Sequence, residues 1–339
     1  MRYLTTFVCT FLLALIAYIS LIPALGPTPV TAEYWVQELL VIKRDIVKRY
    51  ANDRKIIISS GSSTLFSIDA KLLSEQLGLP VINFGLMGGM PLERILEETD
   101  AASSKNDIVV LPLEPDYFCR EEITGFDEWV LRNAVAWDRV YWSKLSLYDR
   151  LTAIRYLGFK FPLEMLIARF DTVFRPAITQ PRLLTLNAAA VLDKFAKPYP
   201  FADNLYSVYS MSPFGDIRNT SGSDYTGDPR RADQPIKICA HTLERLKAFT
   251  SQQKAKGVSV FFANTPYVAI DGLDSAAVDN ASKQFSMMLS AVAPVLDDRS
   301  ALIFNREFFL NSALHLNANG RELRTRQLLE KLRAVIAQQ

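Results

Sequence analysis

The stretch KIIISSGSST, residues 55–64, decides the fold, because it passes directly from a strand-like run into the start of a helix. Its first four residues are typical of a short buried strand, and the small residues after them are typical of a strand–helix turn. At the carboxyl end of a parallel strand, such a turn presents ligand-binding groups. A serine there lies beside exposed N–H groups and the positive end of a helix dipole, which suit an oxyanion.

The same alternation of strand and helix continues along the chain. Further strands are predicted at 81–83, 107–113, 258–263 and 301–304, and helices at 66–77, 91–103, 236–256, 274–292 and 319–337. The near-continuous apolar run at 107–113 is of the kind that parallel sheets bury on both faces. The pattern therefore predicts an α/β protein with a doubly wound parallel sheet.

A large insertion interrupts this order. Helices are predicted at 128–148, 148–174 and 182–195, followed by an irregular polar stretch at 198–235. We expect the whole of 117–235 to cap the carboxyl edge of the sheet, since long loops of this kind are usually functional or mobile. The predicted organisation begins with an anchor or signal segment at 1–26 and a helical stalk at 27–54. The first part of the sheet domain follows at 55–116, the insertion at 117–235 and the second part of the sheet domain at 236–339.

The N-terminus carries a membrane signal. Residues 3–26 contain no charged side chain, and a helix of ~20 apolar residues crosses the core of a bilayer. Arg2 precedes this run and favours a cytoplasmic N-terminus. A cleavable signal peptide is the alternative, although the run is longer than a usual signal core. We expect a single-pass protein of the inner (cytoplasmic) membrane with a transmembrane helix and an extracytoplasmic, periplasmic main domain.

Composition excludes some functions and raises one question about cysteines. The net charge of +2, without a Lys/Arg-rich block, argues against nucleic-acid binding, and two separated histidines suggest neither a metal site nor another cofactor.

Cys119 and Cys239 bracket the insertion, and disulfides persist in exported proteins. A bridge between them is one expectation, and two unrelated buried thiols are the other.

One histidine is placed where a general base would be useful. His315 lies in LHLNANG, residues 314–320, just before the last predicted helix, whereas His241 is expected to be structural within a helix. A serine after the first strand and His315 make a candidate nucleophile and base, the alternative being an exposed histidine at a capped helix start. A second glycine-rich turn, in VINFGLMGG at 81–89, could bring an N–H to an oxyanion or simply be a tight turn.

Together these blocks resemble the SGNH, or GDSL-like, hydrolase superfamily. Within it they are most similar to the DltD-like and AlgX/AlgJ-like proteins, which work beside membrane-bound O-acyltransferases in modifying cell-surface polymers. The resemblance covers about 55–115 and 236–337. It implies an SGNH-like fold with Ser63 as nucleophile, His315 as base, and the N–H groups of Gly88 and Ser63 as the oxyanion hole.

Two departures from the family pattern concern the site. The third block usually supplies an asparagine to the oxyanion hole, but this chain offers Glu114 or Asp116, and an anion would repel an oxyanion unless it were protonated. The aspartate expected three residues before the histidine is replaced by Ser312, preceded by Asn311. In a related triad, loss of that carboxylate costs about 10⁴ in rate.

The missing aspartate leaves several possibilities open. Asn311 or Ser312 could fix the tautomer of the histidine, or a carboxylate could come from elsewhere in the chain. The candidates for such a carboxylate are Asp271, Asp274, Asp297 and Glu307. If none of these groups serves, the protein would be a non-catalytic relative.

The resemblance implies an acyltransferase or esterase, without cofactor, acting on acyl groups of a cell-surface polysaccharide, with acetyl the expected group. Its partners would be the polysaccharide or acyl donor and a membrane-bound O-acyltransferase. The alternative is a catalytically inactive accessory or polymer-binding protein that partners such an acyltransferase. An ordinary secreted esterase is a third hypothesis.

Overall fold

A computed structural model describes residues 2–25, 34–120, 131–132, 138–158, 160–174 and 205–338. The chain divides into two compact units. One unit combines Met1–Glu38 with Glu121–Asn187, and the other combines Leu39–Arg120 with Ala188–Gln339. The second unit contains the sheet and all of the candidate site residues.

The sheet is parallel throughout. Its strands are β1 (Ile56–Ile58), β2 (Val81–Asn83), β3 (Ile108–Leu111) and β4 (Ser259–Phe262), in the spatial order β2-β1-β3-β4. Ile57 is paired with Ile82 on one side and with Val109 on the other. Two shorter strands, β5 (Tyr267–Val268) and β6 (Ile303–Phe304), form a separate parallel pair. The predicted α/β class with a parallel sheet is confirmed.

The helices follow the predicted alternation with shifted ends. They are α1 (Arg2–Leu25), α2 (Tyr34–Arg49), α3 (Ser62–Ser67), α4 (Ala70–Leu77), α5 (Leu92–Ala102), α6 (Arg139–Lys144), α7 (Leu147–Leu157), α8 (Lys160–Phe174), α9 (Ala240–Lys256), α10 (Ser275–Ser290) and α11 (Ala318–Ile336). The helix predicted at 66–77 is thus two helices. Asp69 separates them because its side chain accepts from the Leu72 N–H and caps α4.

Both faces of the two central strands, β1 and β3, are buried. Ile58 and Val110 pack against Leu328 of α11 in one hydrophobic cluster. Ile57 and Val109 point to the opposite face, since side chains alternate along a strand, and both are fully buried as well. The short apolar runs of the sequence therefore became central parallel strands, and their carboxyl ends are free to carry functional groups.

A disulfide joins Cys119 to Cys239, with Cα atoms 4.8 Å apart, so the predicted bridge is present. The Cys239 N–H also donates to the Phe118 carbonyl at 2.8 Å. These links hold the preceding residues extended, and α9 begins at Ala240 rather than at residue 236. His241 consequently lies exposed in the first turn of α9 rather than inside a longer helix.

The segment predicted as an insertion is partly described. Within the described residues of the two long predicted helices lie α6, α7 and α8, with Ser146 capping α7 and Gly158, at a positive φ of 74°, ending it. The predicted helix at 182–195 lies outside the described residues. The described residues 205–235 contain a short 3-10 turn at Val208–Ser210 and otherwise follow an irregular path, as predicted.

At the N-terminus, α1 forms a helix over the uncharged run. Among the described residues, no helix combines the length and apolar character needed to cross a membrane.

Candidate active site

The turn after β1 carries the first site residue. Gly61 immediately precedes α3, and a Cβ atom placed on it would lie 2.5 Å from Glu114 Oε2 and 2.8 Å from the Gly88 Cα. Only glycine therefore allows three segments to meet at this point. Ser62 begins α3 and is half-buried, whereas Ser63 is only 2% exposed.

His315 is hydrogen-bonded to the serine of this turn. Its Nε2 atom lies 2.9 Å from Ser62 Oγ. The histidine is held by a short antiparallel bridge between Phe309 and Leu316, at the end of the loop that enters α11. Its ring stacks on Phe66 of α3, with ring centroids 4.2 Å apart. Helix α3 thus supplies both the hydroxyl and the surface that orients the imidazole.

The candidate nucleophile is therefore Ser62, which corrects the prediction of Ser63. Successive helix residues point about 100° apart, so one of the two serines faces His315 and the other turns inward. The N–H of Ser63 donates to Glu114 Oε1 at 2.8 Å, which fixes this residue beneath the turn. The resemblance implied Ser63, but the choice between the two serines depends on the residue at which α3 begins.

Asn311 orients the other side of the imidazole, which confirms one of the predicted alternatives. Its Oδ1 atom lies 2.8 Å from His315 Nδ1, and its amide nitrogen donates to the Tyr206 hydroxyl at 3.0 Å. Because an amide oxygen only accepts, Nδ1 carries the proton and Nε2 is left to accept from Ser62. Ser312 instead shapes the loop, where its Oγ accepts from the Leu314 N–H.

The four carboxylates considered as substitutes for the missing aspartate lie in other roles. Asp274 caps α10, and Asp297 forms a buried ion pair. Asp271 and Glu307 are exposed. Within the described chain, none of the four is hydrogen-bonded to His315, so a neutral amide is the group that fixes its tautomer.

The imidazole of His315 is neutral over most of the pH range. The side chain is 8% exposed, and this burial lowers the pKa to about 4. A neutral Nε2 can accept the Ser62 proton at neutral pH. A base of such low pKa takes that proton less readily than an ordinary histidine would.

The backbone of Gly88 lies beside the nucleophile. Gly88 approaches so closely that a Cβ on it would lie 3.0 Å from Ser62 Oγ. Its carbonyl accepts from the Tyr117 hydroxyl at 2.9 Å and from Arg120 Nη1 at 3.0 Å. No group of the described chain accepts from the N–H of Gly88 or of Ser62. Ser63 was the second predicted donor, but its N–H is already donated to Glu114.

Glu114 supports the turn from below. Its carboxylate accepts from Ser60 Oγ at 3.1 Å, from the Gly61 N–H at 3.2 Å and from the Ser63 N–H at 2.8 Å. Burial raises the pKa of this carboxyl, opposed by the hydrogen bond from Ser63. Asp116 is exposed on the surface in an ion pair with Arg230. At the end of β3, Glu114 therefore binds the serine turn through its carboxylate oxygens.

Asn83 fastens the second glycine-rich turn to α3. Its amide nitrogen donates to the carbonyls of Thr64 at 2.8 Å and Ile68 at 3.0 Å, and its Oδ1 accepts from the Gly85 N–H at 2.9 Å. Behind it, the fully buried Lys43 donates to the Asn83 carbonyl, and burial lowers the pKa of this lysine to about 7. These contacts place the turn that contains Gly88 beside Ser62.

A pocket of about 210 Å³ adjoins the two segments that carry His315 and Glu114. Leu314 and Pro115, their neighbours in the chain, both contribute to its lining. The remaining lining residues are Asp116, Asp228, Arg230, Thr265, Pro266, Tyr267, Val268 and Ala313. This mixed apolar and charged surface is of the kind that holds and orients a small group.

Comparison with known proteins leaves the site to be interpreted from its own geometry. Neither a scan against protein-family models nor a search of curated proteins found a match. Over the part of the chain that the structure describes, no three His, Cys, Asp or Glu side chains converge as metal ligands would. The groups that bear on function are therefore Ser62, His315, Asn311 and the nearby N–H groups.

Proposed function

We propose that this protein is an SGNH-like acyltransferase or esterase that acts on acyl groups, with acetyl the expected group, of a cell-surface polysaccharide. The observation that carries the proposal is the hydrogen-bonded series from Ser62 through His315 to Asn311. The strand order also supports a doubly wound, SGNH-like fold, because the serine turn and Glu114 follow β1 and β3 at the point where the strand order reverses.

The reaction would proceed through an acyl-serine. Ser62 Oγ attacks the acyl carbonyl carbon while His315 Nε2 takes the hydroxyl proton. The N–H groups of Ser62 and Gly88 stabilise the oxyanion. The bond to the leaving alcohol then breaks, and Nε2 returns the proton to that alcohol. A sugar hydroxyl or water attacks the acyl-serine in the same way and restores the free serine.

Asn311 limits the rate of this reaction. Its oxygen fixes the tautomer of His315, as the asparagine of a Cys-His-Asn triad does. It cannot stabilise the imidazolium as a carboxylate would. A slow turnover suits transfer to a bound polymer, because an acyl-serine that forms within a protected site need not react quickly with water.

The proposed location at the inner membrane is supported by two features of the chain. The disulfide between Cys119 and Cys239 supports an oxidising compartment, and the uncharged residues 3–26 support attachment to the inner membrane by a single N-terminal segment. The main domain would then lie in the periplasm. This location places it where a membrane-bound O-acyltransferase could supply the acyl group.

A second candidate function is that of an accessory protein that binds the polymer and partners the acyltransferase without catalysis of its own. The low pKa of His315 and the neutral Asn311 favour it, because both weaken the general base. The hydrogen bond between Ser62 Oγ and His315 Nε2 favours the enzyme.

Acetate release separates the two functions. Purified protein is incubated with a chromogenic acetyl ester and with acetylated polysaccharide, and Ser62→Ala serves as the inactive variant. We expect release by the wild type and its loss in Ser62→Ala, with polymer binding retained by both. Polymer binding without release from either protein would favour the accessory function.

A further inference from the structure

Helix α8 exposes a continuous apolar face. The residues that form it are Leu163, Leu166, Ile167, Phe170, Val173 and Phe174, whose side chains are between 43% and 65% exposed. Their spacing of three and four residues places them along one side of the helix. Phe161 and Met165 are fully buried on another side. The helix is therefore apolar on both its packed and its exposed sides, which is unfavourable in water.

Other helices of the same compact unit expose further apolar side chains. Helix α1 contacts α8 and exposes Phe7 and Phe11, and α7 exposes Leu147 and Tyr148. Single exposed apolar residues are normal on a protein surface, but contiguous ones mark an interaction site. We call the exposed apolar side of α8 the helical face.

The charge of this segment indicates what covers the face. Residues 139–174 contain six Lys or Arg and three Asp or Glu. Arg155 and Lys160 are exposed on either side of the turn between α7 and α8, and Arg169 is exposed on α8. Apolar side chains bordered by cations are typical of helices that lie in the interface of an anionic membrane.

We propose that the helical face docks on an anionic lipid bilayer, with α8 lying in the interface and its aromatic residues among the acyl chains. A helix of this length extends ~22 Å, which suits a position along the membrane surface. A second copy of the chain fits less well, because it would bring a second set of the same cations against this one. The proposal is independent of the chemistry at Ser62.

A lipid-quenching experiment on the full chain tests this. In a Cys9→Ser background, Phe170→Cys is labelled with an environment-sensitive fluorophore, and the matched control is Leu323→Cys, an exposed leucine of α11 outside the face. Vesicles contain phosphatidylcholine, with or without phosphatidylglycerol, and a nitroxide-labelled lipid as quencher. We expect the probe at 170 to shift to the blue and to be quenched, and the probe at 323 to change little.

The cations provide a second measurement. Arg155→Gln and Lys160→Gln should each weaken binding to vesicles that contain phosphatidylglycerol by about fivefold. Binding to vesicles of phosphatidylcholine alone should not change, and Lys331→Gln on α11 is the control. A probe at 170 that nitroxide lipids do not quench would overturn the proposal. A blue shift without quenching would also overturn it, because it would indicate that a protein covers the face.

Discussion

The N–H of Ser63 donates to the buried carboxylate of Glu114 at 2.8 Å, immediately beneath the hydroxyl of the neighbouring Ser62. Through this bond, the end of β3 holds the turn at the end of β1. The carboxylate is 3% exposed and accepts two further hydrogen bonds from the same turn. Glu114 is thus a positioning residue, which sets the direction of Ser62 without touching the substrate.

Replacing Glu114 should change activity and the pH dependence of stability together. Glu114→Gln keeps the shape but turns an NH₂ group toward donors, so kcat should fall roughly tenfold or more with little change in KM. Because burial raises the carboxyl pKa in the folded protein, the wild type binds more protons folded than unfolded. The stability of the wild type relative to Glu114→Gln should therefore fall as pH rises above 4.5, the ordinary carboxyl value. Urea unfolding across pH measures this, and a constant difference would contradict it.

The activity of the wild type should persist into acid. Burial lowers the pKa of His315 to about 4, so Nε2 remains neutral and able to accept a proton at pH 5. The acid limb of kcat/KM should have its midpoint near this value, with activity lost below it as the imidazole becomes protonated. A midpoint near 6.5, the ordinary value for histidine, would show that the ring is solvated in solution.

Supplying the missing carboxylate should speed the reaction. Asn311→Asp places a carboxylate against Nδ1–H and should raise kcat by tenfold or more, up to ~10⁴ if it fully restores a triad. The exposed position of residue 311 keeps the cost of the new charge small. The acid limb should move to higher pH because the carboxylate stabilises imidazolium. Asn311→Ala is the matched control, and an Asp variant no faster than this one would count against the role of residue 311.

The disulfide should be a main contributor to stability. Cys119 and Cys239 are 120 positions apart in the sequence, and closing a loop of this length stabilises a protein by up to ~4–5 kcal/mol. The double variant Cys119→Ser/Cys239→Ser should lose stability by about this amount in urea unfolding. Denatured, unreduced wild type should show one reactive thiol, that of Cys9, whereas three would mean that the bridge is absent.

The sequence predicted the four strands of the main sheet well because they are short apolar runs bounded by turn residues. The strand predicted at 301–304 instead lies at Ile303–Phe304, where it pairs with the unpredicted β5 outside this sheet. Ile56–Ile58 and Val81–Asn83 were found almost at their predicted ends. Helix ends were predicted less well, since they depend on tertiary links. The start of α9 at Ala240 depends on the bridge at Cys239, and no local sequence pattern predicted this start.

The sequence predicted which segments form the site, but it did not predict which of the two serines contacts His315. His315 and Gly88 were placed correctly beside the serine turn, but the choice between Ser62 and Ser63 depends on where one short helix begins. Tyr206, which positions Asn311, lies in an irregular stretch without periodicity. Its contact arises from the long-range path of the chain, so sequence spacing carried no signal for it.

Covalent trapping tests the central claim most directly. The protein is treated with a fluorophosphonate that reacts with activated serines, and the modified peptide is sequenced by mass spectrometry. A single adduct on Ser62 is predicted, absent from Ser62→Ala and from His315→Gln, and retained in Ser63→Ala. An adduct on Ser63, or no adduct under conditions that label a known serine esterase completely, would contradict the assignment of Ser62 as the nucleophile.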